Sequence, residues 1–485
     1  LLRRLAPDEI EIAAAYLSGQ LRQRRIGLGP AALSTARPAG SAAAPRLTLG
    51  EVDAAFARMA AASGAGSTAE RTRLLSGLLA AATSEEQEFL VRLIFGELRQ
   101  GALAGLAAEA LAAAADVPPG EVRRALMLAG ELPAVARAAL AEGRPGLGRF
   151  RLQLFRPLQP MLAQPAADVS EALERLAGGG SAFELKLDGA RIQVHKAGGE
   201  VRVYSRLGNE VTPAVPELVE QVRALPAREV VLDGEVIALR PGGAPHPFQL
   251  TMRRFGRKLD VARLREELPL TPYFFDLLHL DGEDLLDRPA GERFAALEQA
   301  AAGTTVPRLV TGDPDAADAF FADALRQGHE GVLAKALDAP YEAGRRGASW
   351  LKIKPAHTLD LVVLAAEWGH GRRQGWLSNL HLGARDPVAG GFVMLGKTFK
   401  GLSDEMLAWQ TARFQQLALG TDGWTVHLRP EVVAEIAFSD VQESPHYPAG
   451  MALRFARVKR YRDDKTAADA DTIDTVRAIF AGGRG

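Results

Sequence analysis

Residues 155–165 read FRPLQPMLAQP, with three prolines in eleven residues. A helix cannot run through such a segment, because each internal proline removes a backbone donor and clashes with the preceding turn. The hydrophobic period changes across it. On the amino-terminal side, apolar residues recur at helical spacing in AERTRLLSGLLAAA (69–82), EEQEFLVRLIFGEL (85–98) and GEVRRALMLAG (120–130), and strand-like segments are nearly missing. Ser67-Thr68 and Thr83-Ser84, just ahead of the first two, are expected helix caps. On the carboxy-terminal side, FELKLD (183–188), IQVHK (192–196), VRVYS (201–205) and EVVLDGEVIAL (229–239) alternate as strands do. Helical VPELVEQVRAL (215–225) and DAADAFFADALRQG (315–328) interrupt them, which makes this part α+β. After SWLKIKP (349–355) a third region opens with LDLVVLAAEWGHG (359–371) and continues in short strands and glycine-rich turns, a small β-barrel or sandwich with Pro355 and Ala356 near its hinge. The expected fold is therefore multidomain: all-α over 1–155, α+β over 156–355 and a β-barrel over 356–485. A chain of 485 residues exceeds what one core usually serves, which agrees.

Cysteine is absent, which excludes disulfides, a cysteine nucleophile and cysteine-ligated zinc or iron–sulfur sites. The nine histidines show no ligand spacing of the H-E-x-x-H kind, so any metal should be a hard one held by carboxylates. The formal charge of −1 gives no global sign of a nucleic-acid partner, although charge can still be segregated by face. No apolar run is long enough to span a bilayer, and LLRRLAPDEIEIAAAYLSGQ (1–20) has neither a signal-peptide core nor its cleavage pattern. The cytosol is the expected compartment, with no membrane partner. The chain opens on Leu1 rather than methionine, which leaves room for a missing amino-terminal piece. Arginine far exceeds lysine and alanine is abundant, as a GC-rich prokaryotic genome produces.

The segment FELKLDGARIQVHK (183–196) sets Lys186 among alternating residues. On a strand, Phe183, Leu185 and Leu187 share one face and Glu184, Lys186 and Asp188 the other. Alone, that pattern is as well explained by a half-exposed strand. Further along come LDGEV (232–236), YFFDLL (273–278), EGVLAK (330–335), WLKIKP (350–355) and LRFARVKRYRDDK (453–465). Each has a bland reading by itself: LDGEV as a turn, the two lysines of WLKIKP as a solvated face, Phe275 as core, the last segment as a basic tail. Their common order is the signal, and in that order they resemble the motif series of the covalent nucleotidyltransferases, which include ATP-dependent DNA ligases, RNA ligases and mRNA capping enzymes.

The resemblance makes Lys186 a nucleophile that holds a nucleotide as a phosphoramidate. A free lysine is neutral about once in 2,500 molecules at pH 7, an ionisation cost of roughly 4.6 kcal/mol. Nearby positive charge and partial burial are expected to reduce it, with Lys335, Lys352, Lys354 and Mg²⁺ as candidates. By the same resemblance Glu184 contacts the adenine edge, Arg191 and Arg206 grip ribose or phosphate, and Phe275 stacks on the base. Glu235 and Glu330 are the implied ribose or metal-site carboxylates, Asp188 orients the lysine or the metal, and Lys352 and Lys354 face one phosphate. Arg454 opens the terminal motif, whose spacing is similar to that of cellular and archaeal-type DNA ligases and whose domain closes over the nucleotide.

Nearly the whole chain shares in the resemblance. FLVRLIFGELRQGALAGLAAEALA (89–112) looks like the helical DNA-binding domain of ATP-dependent ligases, and EWGHGRRQGWLSNLHLGARD (367–386) like the opening of an OB-fold. Arg99, Arg372 and Arg373 are the candidate DNA contacts. NAD-dependent relatives carry a four-cysteine zinc module, which this chain lacks, so the implied cofactors are ATP and Mg²⁺, with Mn²⁺ as substitute. The implied partner is nicked double-stranded DNA, engaged by a monomer, with a sliding clamp left open as a protein partner. An RNA ligase or GTP-using capping-type enzyme, and an inert nick-binding protein, stand as the alternatives. Ala190, where many ligases have an acidic residue, and Ala334 depart from the pattern without removing a reacting group.

Overall fold

The computed structural model describes the chain except residues 24, 25, 39, 97, 99–102, 177–179, 258, 343–348, 356 and 483–485, together with the side chains of 30, 103, 104 and 482. Arg99 and Ala356 therefore lie outside the described residues. Up to Leu147 the regular structure is helical, from Ile10–Leu17 through Leu49–Ala61, Ser67–Ala81 and Ser84–Phe95 to Leu132–Leu147. The Ser84–Phe95 helix begins as expected: the Thr83 hydroxyl accepts from the Glu86 N–H while the Glu86 carboxylate accepts from the Thr83 N–H. Ser67-Thr68 is a correction. These residues form the first turn of their helix, and Gly66 at φ 82° stands at the cap position without a side chain to serve the orphan donors.

Two five-stranded sheets follow. One runs Gln164–Pro165, Trp350–Ile353, Val332–Ala336, Ser181–Leu185, Arg308–Thr311; the other runs Glu200–Ser205, Ala190–Ala197, Glu229–Ala238, Leu270–Leu280, Glu283–Asp284. LDGEV lies inside the Glu229–Ala238 strand and makes no turn. Gly234 is required there, because a Cβ would stand 2.7 Å from the Phe274 ring and 2.8 Å from the Tyr273 carbonyl. Consecutive strands Ser181–Leu185 and Ala190–Ala197 belong to different sheets, so Lys186–Gly189 is the crossing between them.

Beyond Pro355 lies a seven-stranded antiparallel sheet. Its central strand, His357–Trp368, pairs on one edge with Val433–Phe438 through its first half and Thr425–Leu428 through its second, and on the other edge with Leu377–Arg385, where the register shifts between Val363 and Ala365. A long bulged strand that divides its other edge between two neighbours bends a sheet towards closure, as in OB-like architectures. Helix Asp404–Gln416 packs on it through Leu407 and Phe414.

The three parts are joined differently. One apolar cluster combines Met127 and Leu128 of the helical part with Leu158, Met161, Phe183 and Leu351. Gln159 N–H also donates to the Met127 carbonyl (3.1 Å) and Arg156 to the Ala129 carbonyl (2.7 Å). Among the described residues no apolar cluster combines residues before 355 with residues after 357. Side chains meet across that junction at a few points: Arg454 Nη1 donates to Asp188 Oδ2 at 3.0 Å while its guanidinium lies 5.3 Å from the Phe248 ring centre, and Gln249 Nε2 donates to Gln442 Oε1 at 3.4 Å.

Candidate active site

The crossing segment forms one edge of a cleft of about 800 Å³ between the two sheets. Its backbone is fixed on both sides of the lysine: Lys186 N–H donates to the Gly331 carbonyl (2.8 Å), and Glu330 N–H to the Lys186 carbonyl (3.1 Å). Two glycines permit this approach. Gly331 has φ +139°, and a Cβ there would stand 2.2 Å from the Ile353 carbonyl. A Cβ on Gly189 would stand 2.2 Å from the Val236 carbonyl. The K-x-D-G and E-G spacings thus have a steric reason beside any chemical one.

Lys186, Arg191, Arg206, Glu235, Phe275, Glu330, Lys352, Lys354 and Arg454, each expected at the site, all line this cleft, as does Asp188. The Glu330 carboxylate pairs with both Lys186 and Lys354. Burial alone would raise the Glu330 carboxyl, yet the two ammonium groups hold it below the usual range. Burial and the Lys186 charge push Lys354 below the ordinary lysine value, against the pull of Glu330. Glu235 Oε1 accepts from the Gly189 N–H at 2.8 Å. Burial pushes its carboxyl up to about 7, against the lowering influence of Lys186, that N–H and Arg191. Arg191 is held by Asp233 through Nε (3.1 Å) and Nη2 (2.6 Å), and its guanidinium lies 5.3 Å from the Phe275 ring centre.

Glu184 stands one layer behind the cleft. The strand ends at Leu185, and the Glu184 side chain does not line the cleft. Its carboxylate is fully buried between Arg308 (2.6 Å) and Lys335 (2.5 Å). Lys335 likewise lies behind the wall, 4.6 Å from the Phe275 ring centre and 4.2 Å from that of Trp350, and it balances Glu184 rather than facing the cleft. Phe275 has both expected characters, being 5% exposed and still part of the wall. Arg372 and Arg373 sit in the exposed 3₁₀ turn Gly371–Arg373, where Arg373 Nη1 donates to the Phe399 carbonyl.

The cleft also has a wall that the motifs do not announce, Phe248, Met252 and Phe255 on one face of the helix Phe248–Phe255, which Phe455 of the terminal motif joins beside Arg454. The i, i+4, i+7 spacing was visible, but it marks a core face as readily as a cleft wall.

Three family models match the chain: "DNA ligase N terminus" over residues 28–112, "ATP dependent DNA ligase domain" over 160–354 and "ATP dependent DNA ligase C terminal region" over 373–465. The chain belongs to the ATP-dependent DNA ligases. This ligase is 67% identical over 483 residues to a probable DNA ligase of Anaeromyxobacter sp. (strain Fw109-5), covering 99% of this chain and 93% of the relative. It is 58% identical to a probable DNA ligase of Mycolicibacterium gilvum (strain PYR-GCK), covering 100% and 94%. A solved structure named "Pmar-Lig_PreS3" shares its fold, with a TM-score of 0.63 at 18% identity over 95% of this ligase and 97% of that chain. No helix among the described residues of the ligase is long and apolar enough to cross a membrane.

Proposed function

We propose that the cleft binds ATP and that Lys186 is the nucleophile of a three-step strand-sealing reaction. The observation that carries this reading is the convergence of Lys186, Lys352, Lys354, Arg191, Arg206 and Arg454 on one cleft with Glu235 and Glu330, the surroundings a polyphosphate needs. Glu330 must release its hold on Lys186 before the amine can react. The Nζ lone pair then attacks the α-phosphorus: a P–N bond forms, the P–O bond to the β-phosphate breaks, pyrophosphate leaves and the lysine proton goes to solvent. AMP passes next to the 5′-phosphate at a nick in duplex DNA. The 3′-hydroxyl finally displaces AMP and closes the phosphodiester.

Lys352 and Lys354 take the equatorial phosphate oxygens, where charge is spread in phosphoryl transfer. Arg191 and Arg206 hold ribose or phosphate, Phe275 packs on the base, and Arg454 closes the cleft from the carboxy-terminal side. Among the described residues no three carboxylate or imidazole groups converge to hold a metal unaided. Glu235 and Glu330 fit the other mode, in which Mg²⁺, or Mn²⁺ in its place, takes one or two carboxylates and completes its shell with phosphate oxygens and water. Such an ion would neutralise phosphate charge.

The domain reading of 1–155, 156–355 and 356–485 is supported by each family match falling within one of these spans. The bulged carboxy-terminal sheet is read as an OB-fold that grips duplex backbone together with the helical region, through Arg372 and Arg373 among others. The ligase acts as a monomer in the cytosol, where its DNA lies.

Incubation with Mg²⁺ and ATP labelled at the α-phosphate, followed by denaturation, should leave label on the chain. Nicked DNA should discharge it, and Lys186→Ala should never acquire it. Label on Lys186→Ala would overturn the assignment.

A further inference from the structure

Arg191 belongs to a closed ring of hydrogen bonds that leaves the cleft and returns to it. The Met161 N–H donates to the Tyr341 hydroxyl at 3.0 Å, and that hydroxyl donates to Asp233 Oδ2 at 2.7 Å. Asp233 accepts both Nε and Nη2 of Arg191, whose Nη1 donates to the Met161 carbonyl at 2.7 Å. Met161, Tyr341 and Asp233 are at most 1% exposed, so water cannot replace a lost partner in the ring. Three of the five guanidinium N–H groups are spoken for, which leaves one on each terminal nitrogen for a ligand. Tyr341 is itself held rigidly. Its ring meets Trp350 edge-on at 5.9 Å, Arg293 lies 5.9 Å from its centre, and its N–H donates to the Leu286 carbonyl at 2.8 Å.

We propose that Tyr341 is a positioning residue for Arg191: its hydroxyl fixes the Asp233 carboxylate, which fixes the guanidinium in the orientation that receives the nucleotide. The inference rests on the reading of Arg191 as a nucleotide-binding residue. The ring gives Asp233 no freedom to follow the arginine elsewhere, since Oδ2 is shared between Nη2 and the tyrosine. It also ties the arginine to Met161, two residues after Gln159, whose N–H bonds the Met127 carbonyl of the helical part. Burial and Asp233 together push the Tyr341 hydroxyl well above the ordinary tyrosine range, so it stays a donor at every working pH.

The test is a double-mutant cycle on self-adenylation, read as kcat/KM for ATP in wild type, Tyr341→Phe, Arg191→Ala and the double variant. Tyr341→Phe should lower kcat/KM by about tenfold, as expected for a lost hydrogen bond to a charged group, and should cost nothing more once Arg191 is alanine. Equal losses in both backgrounds, or no loss in wild type, would overturn the role of Tyr341. An Arg191→Ala enzyme with unchanged kcat/KM would instead overturn the reading of the arginine. Asp233→Asn keeps the side-chain shape and opens the ring from the other side. If Tyr341→Phe fails to fold, it takes the same place in the cycle, with the same outcomes deciding.

Discussion

His195 lies under the proline-rich segment with no exposure to solvent, and both its ring nitrogens are committed: Nδ1 accepts the Phe155 N–H at 2.9 Å and Nε2 faces Gln193 Oε1 at 2.9 Å. Only the neutral ring with its proton on Nε2 satisfies both. Burial, with a lesser push from His279, lowers its pKa to about 3. The unfolded chain takes up a proton near pH 6.5 while the folded chain does not, so stability is lost as pH falls below about 6.5 and down to about 3. At pH 5 the loss from this one group is about 2 kcal/mol. Thermal unfolding should show a smaller drop between pH 7.5 and pH 5 in His195→Gln than in wild type; equal drops would remove His195 as the cause. This histidine could not be singled out from the sequence, where IQVHK is only an alternating strand. Lys186, Glu330 and Lys354 could be singled out as candidates, because chemistry limits reacting groups to a few residue types and the motifs keep their order, and all three line the one cleft. The strand itself was drawn to Asp188, whereas the chain leaves one sheet for the other after Leu185, so the ion pairs of Glu184 with Arg308 and Lys335 behind the wall were not legible.

Helices and strands were legible wherever their period was regular, as in Pro216–Arg223, Pro314–Arg326 and Glu229–Ala238. Their ends were less so, because a cap depends on backbone angles that a Ser-Thr pair does not dictate. The two predicted caps make a direct comparison. Thr83 closes a reciprocal box with Glu86, while the Gly66 cap ahead of Ser67 offers no side-chain oxygen. Thr83→Ala should therefore lower unfolding stability by about 1 kcal/mol, and Ser67→Ala should lie within about 0.5 kcal/mol of wild type. Denaturant titrations of the two variants decide it, and similar losses would mean that the box contributes nothing of its own. The helix Phe248–Phe255 shows where pattern reading stops. Its apolar face was visible, but whether that face meets a core or a cleft is settled by Arg254, buried and bound to the Glu217 carboxylate and the Ala214 carbonyl, which fixes the roll of the helix.

A net charge of −1 does not prevent DNA binding if the cations are gathered where the duplex passes. Arg372 is the proposed contact to test, with its side chain 83% exposed and, among the described residues, a distant partner in Asp404 at 3.8 Å. Replacing it by alanine should weaken binding to nicked duplexes of any sequence and reduce the slope of log affinity against log salt by about one. Fluorescence anisotropy over a salt series measures both, and an unchanged slope would take Arg372 off the DNA path. The proposed division of the chain into three parts rests on the change of hydrophobic period at 155–165 and on the short strands and glycine-rich turns that follow Pro355. How firmly each part is fastened was not legible, since that depends on which side chains meet across the joints. Buried apolar packing and backbone hydrogen bonds weld the helical part to the catalytic sheets. Among the described residues the carboxy-terminal sheet is fastened by a few side chains: Arg454 on Asp188 and over the Phe248 ring, and Gln442 on Gln249. The molecule is in this sense a clasp with one riveted side and one light catch. That catch bears on Asp188, two positions from Lys186, so breaking the pair would also change the charge beside that lysine.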